Sequence, residues 1–166
     1  MAIASYCPDQ VMALVAGFIP LSGFVDGTFI EVTKDVMPFT SARTADGTTS
    51  RIYHNDQTYT VRITLHNGSP SNDVLTKLQQ LDEITQRGKF PLLIKDNSGS
   101  DLFFSTTTWI EQLPTMTKDV TISGRVWVMR SSQSIINHGS NQEVSSILND
   151  LVNAATSALP ILEGIL

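Results

Sequence analysis

The sequence predicts a β-rich α+β fold: two packed β-sheets forming a flattened barrel, one flanking helix, and a helical extension at the C-terminus. Three observations carry that prediction. Across 58–65, apolar Tyr59, Val61, Ile63 and Leu65 alternate with polar Thr58, Thr60, Arg62 and Thr64. This period of two places alternate side chains on opposite faces of a half-buried strand. Across 121–130 both faces are apolar, with Ile122, Val126 and Val128 on one and Trp127 and Met129 on the other, so both need covering. Between these strands, Val74, Leu75, Leu78, Leu81 and Ile84 recur at spacings of three and four, the stripe of a helix lying on a sheet.

Residues 11–19 are an apolar run, read as a strand buried on both faces. The run is too short to span a bilayer, and no Lys or Arg precedes Lys34, so the basic region of a signal peptide is missing. Pro20-Leu21-Ser22-Gly23 breaks the strand and Asp26-Gly27 signals a turn. Residues 28–34, with Phe29, Ile30 and Val32, suit a second strand. Residues 35–56 show little periodicity and contain Pro38 and Ala45-Asp46-Gly47. A loop of that length inside a compact domain is usually functional or disordered.

Asn67-Gly68 ends the central strand. Ser69 is then a good N-cap, and Pro70 suits the first helical position, where its missing donor goes unused. Gly88 is the expected stop. Strands follow at 90–96, 102–111 and 121–130. Residues 131–140 read as a polar linker. From Gln142 a second amphipathic helix carries Val144, Ile147, Leu148, Leu151 and Val152 on one stripe. Its other face lacks basic residues, which suits docking on protein rather than on an anionic membrane. The domain division expected is 1–130 for the barrel, with the loop 35–56 inside it, and 131–166 for linker and helix.

With 166 residues, the chain is sized for one domain. Charged residues are only 16%, low for a surface that water alone must cover, so partners are expected to cover part of it. A net charge of −5 argues against a sequence-independent grip on nucleic acid, which needs clustered Lys and Arg. One cysteine, Cys7, cannot form an internal disulfide. His54, His66 and His138 lack ligand spacing. No glycine-rich phosphate loop or nucleophile elbow is present. No catalytic constellation, metal site or cofactor is expected, and the chain does not read as an enzyme.

Several ordered blocks resemble a known family. They are Gly23-Phe24-Val25-Asp26-Gly27-Thr28-Phe29-Ile30, Ser69-Pro70-Ser71-Asn72-Asp73-Val74-Leu75, Phe90-Pro91-Leu92-Leu93-Ile94-Lys95-Asp96, and Leu102-Phe103-Phe104 with Trp109-Ile110-Glu111-Gln112-Leu113-Pro114. Together they resemble the tail tube proteins of contractile-tailed bacteriophages, over roughly 11–130. The resemblance implies a barrel-like subunit forming hexameric rings stacked into a tube inside a contractile sheath, with DNA passing down the lumen without specific binding. It implies sheath, baseplate and tail terminator proteins as partners, a place in the virion tail, and assembly in the host cytoplasm. It also implies that 35–56, with Arg43, Asp46, Arg51, His54 and Asp56, reaches the adjacent ring.

Thr58, Thr60, Arg62 and Thr64 are candidates for the lumen face. The segment after Ser131 departs from the family's usual end, and Val144, Ile147, Leu148, Leu151 and Val152 are its docking candidates. Two alternatives stay open: a tube subunit of a phage-like injection or type VI secretion device, and a monomeric barrel that binds a small ligand.

Overall fold

The computed structural model describes residues 4–141, 153 and 154. Strands β1 (Val11–Val15) and β2 (Ile19–Pro20) form a first hairpin, followed by β3 (Ile30–Lys34). A second hairpin, β4 (Phe39–Arg43) and β5 (Thr49–Tyr53), precedes β6 (Tyr59–His66) and helix α1 (Ser71–Thr85). The chain continues with β7 (Phe90–Asp96), β8 (Leu102–Gln112) and β9 (Gly124–Asn137). Seven strands make one sheet in the order β2-β1-β7-β8-β9-β6-β3, while β4 and β5 pair only with each other. Every pairing is antiparallel.

The large sheet rolls over on itself. Tyr59 on β6 lies opposite Ser131 on β9, which lies opposite Thr108 on β8. Phe103 is five residues further along β8, so in a flat sheet it would sit about 20 Å from Tyr59. Their rings instead meet edge to face with centroids 5.5 Å apart. The two walls of the flattened barrel are thus halves of one continuous sheet, and the additional small sheet is a projecting hairpin.

The bend has a local cause. Residues Trp127, Met129 and Ser131 point inward, and then Ser134 does, with Gln133 between them exposed. Gln133 has φ 52°, a left-handed conformation that costs a non-glycine residue free energy. On β8 the inward set likewise passes from Phe103 and Ser105 to Thr108. Matching irregularities on the two strands keep both walls facing the same core.

That core is one cluster. Val61, Ile63 and Leu65 of β6 meet Ala13 and Val15 of β1, Leu92 of β7, and Trp127 and Met129 of β9. Helix α1 carries the chain from β6 to β7, which lie three places apart in the sheet. Leu75 is its fully buried apolar anchor. Asn72 is buried too, and its Oδ1 accepts the Trp127 indole N–H at 2.9 Å, satisfying a donor that would be costly to leave bare.

The helix begins one residue later than its sequence predicts: Pro70 is the N-cap, already helical in φ and ψ, and the Ser69 hydroxyl just before it accepts the Ser71 N–H at 3.2 Å. The remaining helical expectations need correction. Leu81 is 48% and Ile84 83% exposed, because the helix outruns the core and only its first half is covered. Its end is set by Gln86, left-handed at φ 57°, and not by Gly88. Gly88 answers a different demand, since a Cβ there would lie 2.3 Å from Asp82 Cβ.

Three further expectations change. The first strand ends at Val15, where Ala16 and Gly17 take positive φ, so 11–19 is a hairpin. Residues 35–56 are not an irregular loop but contain the β4–β5 hairpin. The polar run from Ser131 is not the start of a linker: β9 continues to Asn137 with β8 as its partner. It is bonded to β8, Thr108 Oγ1 to Ser131 Oγ at 2.8 Å and the Ser105 hydroxyl to the Ser132 carbonyl at 2.8 Å, while the buried Ser134 hydroxyl has no partner among the described residues.

Candidate assembly surfaces

The β4–β5 hairpin projects from the barrel. All ten of its strand residues are exposed, and neither strand makes extended contact with any other element. It holds its own shape. Phe39 and Tyr53 lie opposite each other with ring centroids 5.4 Å apart, and the Arg51 guanidinium sits 4.3 Å above the Phe39 ring. Cross-strand aromatic pairs and cation–π stacking stabilise a hairpin that has no core beneath it. At the tip, Thr44 donates to Asp46, which also accepts the Thr48 N–H. Those bonds hold the Asp46 carboxyl below the usual carboxylate range.

The base of the hairpin is tied to the sheet at both ends. The Asp35 N–H bonds the Thr58 carbonyl at 3.1 Å. The Asp35 carboxylate accepts the Thr60 hydroxyl and faces Arg130 Nη1 at 3.2 Å. Arg130 also bonds Glu111. Glu111 first and Asp35 second favour the charged guanidinium and raise its pKa. At the other end Asp56 accepts the Thr58 hydroxyl and N–H at 2.6 and 2.8 Å, which lowers its pKa. The direction of the arm is held by hydrogen bonds at its two roots and an ion pair to β9.

The predicted residues fall on two regions. Arg43, Asp46 and Arg51 lie on the hairpin itself, while His54 and Asp56 are half-buried at its return. His54 lies 3.0 Å from the Thr40 hydroxyl, joining the return to the arm. Thr60, Arg62 and Thr64 share the polar face of β6, opposite the core residues, and Thr58 immediately precedes the strand. Arg62 has Glu31 as its cross-strand neighbour on β3. The ion pairs among the described residues nevertheless belong to Arg130, which sequence reasoning did not select. Its place opposite Thr60 in the β6–β9 register is a tertiary fact that spacing along the chain does not carry. Val144, Ile147, Leu148, Leu151 and Val152 lie outside the described residues.

Apolar side chains are also left in water. Met116, Val120 and Ile122 project from the segment between β8 and β9, Phe18 from the β1–β2 turn, and Ile135 from β9. Among the described residues, no three His, Cys, Asp or Glu side chains group as metal ligands would, and no helix is long and apolar enough to cross a membrane.

No family model matches the chain. A protein named structural protein ORF10, from Pseudomonas phage KPP10, is 33% identical over 158 residues, covering 91% of each chain. Among solved structures, the fold is similar to the anti-feeding prophage cap, a tube terminating cap determined by cryo-EM. The TM-score is 0.59 at 10% identity, over 82% of this chain and 93% of the cap. The protein described here belongs to the family of phage structural proteins that includes structural protein ORF10 of Pseudomonas phage KPP10.

Proposed function

We propose that the chain is a non-catalytic subunit of a contractile phage tail tube, closing hexameric rings with copies of itself and stacking them into a conduit for DNA. The observation that carries this reading is the exposed hairpin, bonded at its base to a barrel that buries none of it. An arm of this kind is complete only against another molecule. The sheet supports the same reading, because β2 and β3 are its outer strands and edge strands invite pairing with a neighbour. In the ring, these edges join successive subunits and the arm reaches the next ring through Arg43, Asp46, Arg51, His54 and Asp56. Thr58, Thr60, Arg62 and Thr64 then face the lumen, and the acidic chain keeps phosphate from adhering. Sheath, baseplate and terminator proteins are its neighbours in the virion tail, with assembly in the host cytoplasm.

A second reading rests on the likeness to a tube terminating cap: the subunit closes a tube instead of extending it. A related device that injects effectors would use the same ring. Negative-stain microscopy of the purified protein separates these readings. Long tubes support the tube subunit, single rings that do not elongate support the cap, and monomers at every concentration contradict both.

A further inference from the structure

A cleft of about 400 Å³ opens where the rolled sheet meets its own edge. Phe29, Ile30 and Val32 line one side, and Ile94, Phe103 and Ile136 the other. Three of its polar lining residues, Asp96, Asp101 and Asn137, are already engaged. Asp96 accepts the Ser98 N–H at 2.8 Å and the Asn141 amide at 3.1 Å. Asp101 accepts the Gly139 N–H, and the Asn137 amide donates to the Ser100 carbonyl. The two facing apolar walls match an aliphatic side chain.

The same bonds determine where the chain leaves the barrel. Ser140 N–H bonds Ser100 Oγ at 2.9 Å, and Asn141 bonds both Asp96 and Ser98. Asp96 is itself a wall of the cleft, so Asn141 is fastened at its mouth. The sequence then continues for 25 residues, 142–166, with Val144, Ile147 and Leu148 near its start. Three residues of chain reach at most about 10 Å, enough to bring Val144 from Asn141 to the cleft. The tether also gives this segment an effective concentration that a free partner would rarely match.

We infer that the start of the C-terminal segment, through Val144, Ile147 and Leu148, docks into this cleft of its own subunit and covers the seam of the barrel. Cys7 provides the probe. It is exposed, and its backbone N–H lies 3.4 Å from Ser98 Oγ, the group that also accepts from Asn141. Val144→Cys, Ile147→Cys and Leu148→Cys are each made in the full chain and treated with a short bismaleimide. The inference predicts a compact monomeric cross-linked species for at least one variant, abolished by Cys7→Ser. Cross-linked dimers would place the segment on a neighbouring copy and overturn the inference, as would no cross-link at any of the three positions. In parallel, Leu148→Asp is expected to raise ANS fluorescence and lower Tm. No change in either would overturn the inference.

Discussion

Two antiparallel pairs in this molecule make opposite use of the same geometry. In β6 and β9, Tyr59, Val61, Ile63, Trp127 and Met129 are buried against strands on both sides and a helix. In β4 and β5 every strand residue is exposed, and beyond its own backbone ladder the pair is held by one aromatic contact, one stacked guanidinium and hydrogen bonds at its two ends. An isolated hairpin is marginal in water, so the second pair adds little to folding. Stability resides in the barrel, and the arm is free to serve assembly.

That contrast breaks most visibly at Trp127. Trp127→Ala removes a fully buried ring and is expected to cost about 3–5 kcal/mol, enough to threaten folding, as chemical denaturation would show. Asn72→Ala leaves the indole N–H without its acceptor and should cost about 1–3 kcal/mol in the same assay. A loss below experimental error would mean that water replaces the amide.

Arg130→Met tests the junction between the two regions. Its ion pairs are partly exposed, so stability should fall by no more than about 1 kcal/mol. The arm, freed from its anchor at Asp35, should nonetheless become easier to cleave by limited proteolysis.

Acid acts on the barrel at Asp96. Burial pushes this carboxyl up, but hydrogen bonds from the Ser98 hydroxyl and N–H and from Asn141 outweigh it, and the net pKa lies below the ordinary value. The unfolded chain therefore takes up this proton first as pH falls. The contribution is complete above the unfolded value, about 3.9, and is lost as pH drops through the lower folded value. Asp96→Asn should flatten that acid limb of a Tm-against-pH curve. An unchanged limb would assign the acid sensitivity to other carboxylates.

The barrel was legible in the sequence wherever burial imposed a period. The alternation across 58–65 matches the inward set Tyr59, Val61, Ile63 and Leu65, and Ser69-Pro70 marked the helix start. Legibility failed where burial was absent or polar. The arm strands, Phe-Thr-Ser-Ala-Arg and Thr-Ser-Arg-Ile-Tyr, cover nothing and so carry no alternation. Only the Asp46-Gly47 pair between β-favouring residues hinted at a hairpin. The second half of β9 was hidden because Ser131 and Ser134 occupy inward positions, and small buried hydroxyls, bonded across strands at Ser131 and without a partner among the described residues at Ser134, look like linker residues. Of the candidate surfaces, the arm was legible as an unusual segment, while its anchor at Arg130 depends on strand register.

Deleting residues 40–54 tests the division between barrel and arm most directly, with Tm and negative-stain images taken on the same preparation. The account predicts a Tm within a few degrees of the intact chain and rings that no longer stack into tubes. Long tubes from the deletion variant, or collapse of its fold, would contradict it.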